Sequence, residues 1–148
     1  MSNYNDAMIK KNAVALISRL KENSDRLILS ELEKHGVKGI APSHGGILVA
    51  LYEKQKVTMK ELAERIKRTK PTVTVLVNKL VDSGYIKKEK DPQDNRVTYI
   101  SLTEKGKDLE QIFYQVSSTL NDVIYGDLTE EEQEQLEHIL TNRLNRFR

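Results

Sequence analysis

Residues 58–103 decide the fold of this 148-residue chain and read TMKELAERIKRTKPTVTVLVNKLVDSGYIKKEKDPQDNRVTYISLT. Thr58 and Glu61 have the spacing of a capping box, in which each side chain accepts a backbone N–H at the start of a helix. The apolar residues that follow recur at helical spacing: Leu62, Ala63 and Ile66. The pattern predicts a helix, and the run Lys67-Arg68, which breaks the apolar period, predicts a turn after it.

A second helix is predicted between Thr69, in the N-cap position, and Gly84, which suits a helix end. Pro71 is tolerated in its first turn because amides there have no intrahelical partner. Its buried face follows the i, i+3, i+4, i+7 pattern: Val73, Leu76, Val77 and Leu80. The opposite face carries Val75 among short polar side chains, which suits contacts with base edges in a DNA major groove. An ordinary helical hairpin with one exposed valine is the alternative from these two helices alone.

A basic hairpin is predicted next, from two β-prone runs at residues 85–90 and 97–102. The turn-rich residues 91–96 between them form a long loop whose tip should project. Arg96 at its end is suited to a narrow minor groove, where the negative potential is enhanced. Asp94 could hold Arg96 in one rotamer through a charge-assisted pair. For this pair taken alone, an exposed ion pair worth under about 1 kcal/mol is the alternative.

The order helix, turn, helix, Asp94-x-Arg96 and Leu102-Thr103-x-x-Gly106 resembles the MarR family of winged helix-turn-helix transcriptional regulators. The resemblance implies a mainly α fold with a small β-wing (α+β), whose winged helix-turn-helix lobe is flanked by N- and C-terminal dimerisation helices. It further implies a homodimer on pseudo-palindromic DNA, often a repressor, and often released by a small aromatic molecule. Val75 stands where many members have arginine, and Lys67 where the turn often has glycine.

Thirteen residues are predicted to contact double-stranded DNA. The base readers, with asparagine suited to adenine and valine to the thymine methyl, are Thr72, Thr74, Val75 and Asn78. The phosphate-binding side chains are Arg68, Lys70, Lys79, Lys87, Lys88 and Lys90. The set is completed by Pro71, which opens the second helix, by Asp94, and by Arg96, which probes the minor groove.

The charge is distributed unevenly along the chain, although the net charge is only +2. Residues 54–96 hold twelve Lys and Arg against six Asp and Glu, whereas residues 103–148 hold five against ten. A basic middle segment is expected where attraction to phosphates supplies most of the affinity. It also argues against the alternative function, a winged-helix protein–protein interaction module without specific DNA binding.

One domain is predicted for residues 1–148, with a lobe at about 40–103 between dimerisation helices at about 1–35 and 104–148. The first helix is predicted from about Asn5 to His35, with a break near residues 23–24 left open. A short helix follows, capped by Ser43, whose Gly45-Gly46 pair could allow close packing against the first helix. Thr103 is predicted to cap a helix that runs to about Tyr125, and the last helix begins with a capping box at residues 129–132.

The terminal helices carry three apolar stripes that the small lobe does not need for its own core. An isologous two-fold dimer interface is the economical use of this surface. Packing of the stripes within one chain is the alternative.

The sequence also argues against several classes of function. The absence of cysteine excludes disulfides and thiol-based redox sensing. The three histidines lack metal-like spacing, although a site assembled across helices stays open, and no cofactor is expected. An enzyme is not expected, because the sequence has neither a nucleophile elbow nor a phosphate loop. Neither a membrane span nor a signal peptide is predicted, so a cytoplasmic protein is expected. Four tyrosines are candidates to line an effector pocket: Tyr4, Tyr52, Tyr114 and Tyr125.

Overall fold

The computed structural model describes residues 10–147, which form a mainly helical fold with a small antiparallel sheet, as predicted. The helices are α1 (Ala13–Lys34), α2 (Gly45–Lys54), α3 (Met59–Ile66), α4 (Lys70–Asp82), α5 (Glu104–Asp108), α6 (Glu110–Tyr125) and α7 (Glu130–Leu144). The strands are β1 (Lys56–Thr58), β2 (Ile86–Lys90) and β3 (Thr98–Leu102), and a 3₁₀ helix spans Pro42–His44. Within residues 10–147, no helix combines the length and apolar character needed to cross a membrane.

Helix α1 begins later than the sequence suggested. The predicted start at Asn5 lies outside the described residues, and residues 10–12 are not helical. Lys11 has a left-handed backbone with φ of 54°, which is incompatible with a continuing helix. From Ala13 the helix runs without a break through residues 23–24, and Gly36, with φ of 72°, follows its end.

The entry into α2 differs from the prediction in two respects. The N-cap position of α2 is His44 rather than Ser43, and no side chain there caps the helix. His44 Nδ1 instead accepts the backbone N–H of Ala41, at the start of the preceding 3₁₀ helix, at 2.9 Å. In addition, the tight contact of the glycine pair is with α3, because a Cβ at Gly46 would lie 3.0 Å from Ile66 Cγ2, whereas a Cβ at Gly45 would meet nothing within 4 Å. The close approach is between α2 and α3.

Helices α3 and α4 form the predicted helix-turn-helix. Both hydrogen bonds of the capping box are present, with Thr58 Oγ1 accepting the Glu61 N–H at 3.0 Å. Lys67 in the turn has φ of 54°, the left-handed conformation that glycine adopts at least cost. Thr69 occupies the N-cap position of α4, but its hydroxyl donates to Thr72 Oγ1 rather than accepting a backbone amide.

The three-stranded sheet has the order β1-β3-β2, so β1 is an edge strand. It lies beside the wing, a name used below for β2, β3 and the loop at residues 91–97. Val57 pairs with Ile100, and Ile86 pairs with Leu102, which places these four side chains on one face. This face meets the helices in one core. The core contains Ile47, Leu48, Leu51, Leu62, Val73, Val77, Leu80, Ile86 and Ile100, with the predicted core residues Ile66 and Leu76 partly buried against it.

After the wing, the chain enters α5 through the predicted cap, since Thr103 Oγ1 accepts the Gly106 N–H at 3.1 Å. Leu109 separates α5 from α6 but keeps a right-handed helical backbone, so the two helices follow one path to Tyr125. Helix α6 packs against α1. Helices α1, α5, α6 and α7 are called the outer helices below. Many of their apolar side chains, and that of Phe147 just after α7, stay exposed: Val14, Leu16, Ile17, Leu20, Val123, Ile139, Leu144 and Phe147.

Candidate nucleic-acid interface

Helix α4, called the recognition helix below, has one buried and one exposed face. Val73, Val77 and Leu80 are fully buried in the lobe core, which fixes the rotation of the helix about its axis. Val75 faces the other way and is 54% exposed. The predicted contact residues in the turn and on this helix are all exposed: Arg68, Lys70, Pro71, Thr72, Thr74, Val75, Asn78 and Lys79.

The two threonines on the exposed face differ in their remaining hydrogen-bonding capacity. Thr74 Oγ1 donates to the Lys70 carbonyl at 2.9 Å, so its hydroxyl is left as an acceptor. Thr72 Oγ1 accepts from Thr69 at 3.0 Å, so its own proton stays available to a partner. A hydroxyl is one donor and an acceptor with two lone pairs. Thr72 can therefore donate to a base or phosphate, whereas Thr74 can only accept.

Asp94 holds Arg96 at the loop tip through both backbone and side chain. The Arg96 backbone N–H and Nε donate to Asp94 Oδ1 at 3.0 and 3.1 Å, and Nη2 donates to Oδ2 at 3.4 Å. The side-chain bonds from Arg96, followed by the backbone bond, lower the pKa of Asp94 below its ordinary value. The arginine side chain is 90% exposed. A carboxylate thus orients a guanidinium that projects into solvent, as the spacing predicted.

The wing loop is also braced at its base by Asp91. Its Oδ1 accepts the Gln93 N–H at 2.8 Å, and its Oδ2 accepts the Tyr99 hydroxyl at 3.3 Å. The charge of Asp91 is the main reason that the pKa of Tyr99 is raised. The backbone N–H of Asp91 donates to the Val97 carbonyl at 2.9 Å, which closes the loop. These bonds reduce the freedom of the segment that carries Arg96.

The three predicted wing lysines do not lie on one face. Lys88 pairs with Ile100 and Lys90 with Thr98, so both lie on the sheet face that meets the recognition helix. Lys88 Nζ donates to Asn78 Oδ1 on that helix at 2.7 Å. Lys87 lies on the opposite face, where its Nζ is 3.7 Å from Glu89 Oε1. The structure therefore separates Lys87 from the other predicted contact residues.

A cleft of about 520 Å³, called the basic cleft below, opens between the start of the recognition helix and the wing. Its lining includes four cationic side chains and no acidic one: Lys60, Lys70, Lys88 and Arg96. Such a concentration of one sign of charge attracts a polyanion. Lys60 was not predicted as a contact, because its position on α3 faces the cleft only once α3 and the wing have packed together. Its exposure on the first turn of a helix was the only sequence signal.

A second, apolar pocket of about 100 Å³ lies where α1, α2 and α6 meet. It is lined by Ile28, Leu32, Ile40, Ala41, Pro42, Gly45, Leu48, Phe113, Val116, Ser117 and Leu120. The candidate tyrosines lie elsewhere: Tyr52 and Tyr114 form an aromatic cluster with Phe113, and the Tyr125 hydroxyl donates to Glu137 Oε2 at 2.7 Å. Tyr4 lies outside the described residues. Residues 10–147 contain no cluster of His, Asp or Glu suited to a metal ion.

The helix-turn-helix, the hairpin behind it and the basic cleft between them define a winged helix-turn-helix protein. A sequence model of the MarR family matches residues 40–98. The HTH-type transcriptional regulator SarZ of Staphylococcus epidermidis is 32% identical over 96 residues, which cover 65% of this chain and 64% of SarZ, a little under two thirds of its length. The HTH-type transcriptional regulator MhqR of Bacillus subtilis is 30% identical over 117 residues, which cover 78% of this chain and 80% of MhqR. The chain belongs to the MarR family.

The fold agrees with that of solved relatives. A mutant MarR from E. coli complexed with operator DNA has a TM-score of 0.74 to this chain at 22% sequence identity. The superposition covers 97% of this chain and 99% of that protein. This likeness extends over the terminal helices as well as the winged lobe.

Proposed function

We propose that this chain is a homodimeric, sequence-specific DNA-binding repressor that acts on pseudo-palindromic operators in the cytoplasm. The observation that carries the proposal is the basic cleft, in which four cations from α3, α4 and the wing converge without an acidic neighbour in the lining. Neutralising phosphates and releasing their counterions supplies much of the affinity in protein–DNA complexes. The operator DNA in the E. coli MarR structure supports the same mode of binding.

The recognition helix would enter the major groove by its N-terminal half. Thr72, Thr74, Val75 and Asn78 then meet the base edges, with Val75 against a thymine methyl. Lys60, Lys70 and Lys88 in the cleft would bind the phosphates that flank this groove, which fixes register without reading sequence. Arg96, held by Asp94, would reach the neighbouring minor groove.

The homodimer is supported by the apolar surface of the outer helices. Val14 on α1, Val123 on α6 and Leu144 on α7 are each at least two-thirds exposed in the single chain. Exposed apolar side chains that recur along three helices indicate an interaction surface. A two-fold partner would cover it and would place two recognition helices about one DNA turn, roughly 34 Å, apart.

Release by a small aromatic effector is proposed through the apolar pocket at the junction of α1, α2 and α6. Its volume of about 100 Å³ is well below the roughly 300–1,000 Å³ of typical ligand sites. A ligand would therefore have to widen it and move α6 relative to α2. Such a ligand shifts the DNA-binding equilibrium only to the extent that it binds the arrangement with the widened pocket more tightly than the arrangement with the narrow one. Thermal-shift screening against phenolic acids, followed by operator-binding assays, tests this part; hits that leave DNA binding unchanged would contradict it.

Selection of duplexes from random DNA tests the central proposal. The expected product is a palindrome whose half-site centres are about 10 base pairs apart. Binding to it should weaken steeply as salt concentration rises. The alternative, a protein–protein interaction module, predicts no duplex binding even at low ionic strength. A monomer in light scattering that also retained no duplex would refute the proposal.

A further inference from the structure

Asn78 on the recognition helix and Lys88 on β2 are joined by a direct hydrogen bond beside the basic cleft. Lys88 Nζ lies 2.7 Å from Asn78 Oδ1. An ammonium group has three donors and no acceptor, so the amide atom that faces it must be the oxygen. The orientation of the carboxamide is therefore set, with its NH₂ group directed away from the wing.

Lys88 and Asn78 are each adjacent to buried residues that fix their backbone positions. Lys88 pairs across the sheet with Ile100, which is fully buried, and follows Ile86 on the same face. Asn78 follows Val77, which is also fully buried. The backbone positions of the pair are thus fixed by the lobe core, although both side chains are exposed. Lys90 lies on the same sheet face as Lys88, two residues further along β2 and away from the core. Among the hydrogen bonds within residues 10–147, none joins Lys90 to the recognition helix.

The engaged oxygen changes what Asn78 can read. An unrestrained asparagine pairs bidentately with adenine, accepting from N6 and donating to N7. Lys88 takes one of the two lone pairs of the Asn78 oxygen and places a positive charge with further N–H donors beside it. A second donor, such as the adenine N6 amino group, is therefore disfavoured at that oxygen. Guanine presents two acceptors at the same edge, N7 and O6, whereas adenine presents one acceptor and one donor. A pair in which the Lys88 ammonium adds donors beside the Asn78 amide fits guanine better than adenine.

We propose that Lys88 positions Asn78 so that the two side chains together read guanine in place of the adenine expected for asparagine alone. The inference rests on the proposed function and names a specificity determinant within it. Lys88 is thus a positioning residue as well as a phosphate-binding one, because a lysine bonded to Asn78 keeps two further N–H donors.

The test compares the wild type with Lys88→Met, Lys90→Met and Asn78→Ala on the selected operator and on duplexes substituted at each half-site position. The Asn78→Ala variant identifies the base pair that Asn78 reads. At that half-site position alone, the variant should lose the differences in affinity among duplexes with different bases. At that pair the wild type should prefer guanine over adenine by about tenfold, the scale of one well-placed base contact. Lys88→Met, which frees the Asn78 oxygen, should shift the preference to adenine.

Lys90→Met is the matched control, because it removes a neighbouring charge on the same sheet face without touching Asn78. It should lower affinity by a similar factor for every duplex. If Lys88→Met kept the wild-type base preference and only lowered affinity as Lys90→Met does, the positioning role would be refuted. A wild type that preferred adenine at the Asn78 position would refute it as well. A wild type without any sequence preference would instead overturn the proposed function itself, before any variant is compared.

Discussion

Replacing Gly106 by alanine should destabilise the junction between the winged lobe and the outer helices. Gly106 is buried in α5, where a Cβ would overlap the Tyr85 carbonyl oxygen and lie 3.0 Å from Leu102 Cδ2. That carbonyl accepts the Thr103 N–H at 3.1 Å, so it cannot move without loss of a bond. The Gly106 carbonyl in turn accepts the Tyr52 hydroxyl at 3.1 Å. The overlap therefore has to be relieved by the backbone.

The expected cost follows from three contributions. Inserting a methyl group into a packed site costs typically about 1–3 kcal/mol. Losing the bond between Tyr85 and Thr103 adds about 1 kcal/mol. Alanine gains back about 1 kcal/mol over glycine through its helix propensity. The net loss is about 2 kcal/mol, which for a chain of this size lowers Tm by about 4–8 °C.

Gly45→Ala is the matched control, because Gly45 lies at the start of α2 with φ of −56° and nothing within 4 Å of its added Cβ. It should leave stability unchanged or raise it by up to about 1 kcal/mol. The assay is urea unfolding of both variants and the wild type at one protein concentration, since dimerisation links stability to concentration. A Gly106→Ala protein as stable as the wild type would refute the close-contact argument.

Three further predictions concern pH, capping and salt. Burial, followed by the charge of Lys79, lowers the pKa of His44 in the folded protein below its ordinary value of 6.5. As the pH falls, His44 therefore binds a proton in the unfolded chain before it does so in the folded one. As the pH is lowered past about 6.5, this residue should reduce the free energy of unfolding by at most ~1.4 kcal/mol per pH unit. In urea titrations at several pH values, His44→Gln should weaken this pH dependence. Thr103→Val loses the bonds of Oγ1 to the Gly106 N–H and the Gly84 carbonyl and should cost about 1–2 kcal/mol in thermal unfolding; an unchanged Tm would contradict the capping role. The logarithm of the operator-binding constant falls linearly with the logarithm of the salt concentration, and Lys60→Ala should reduce the steepness of this slope by about 0.9. Lys87→Ala, on the opposite sheet face, should leave the slope unchanged. Equal effects of the two variants would contradict the assignment of Lys60 to the basic cleft.

The sequence by itself determined several features that depend on residues two to four positions apart, although the capping bonds expected from Ser43 and Thr69 do not form. The capping boxes at Thr58 and Thr129 and the pairing of Asp94 with Arg96 form as their spacing predicted. The apolar period of the recognition helix likewise determined which face is buried. These interactions close within one turn of helix or loop, so their geometry follows from local backbone conformation.

Only the tertiary structure decided which distant residues meet. The contacts of Gly46 with Ile66, Gly106 with Tyr85 and Lys88 with Asn78 join segments between ten and 21 positions apart. Their existence depends on how helices cross and on which sheet face a strand residue occupies. The same reason explains why Lys60 joins the basic cleft while Lys87 is excluded from it, since alternation along β2 sends neighbouring lysines to opposite faces. Spacing along the chain carries no information about such crossings until the core has packed.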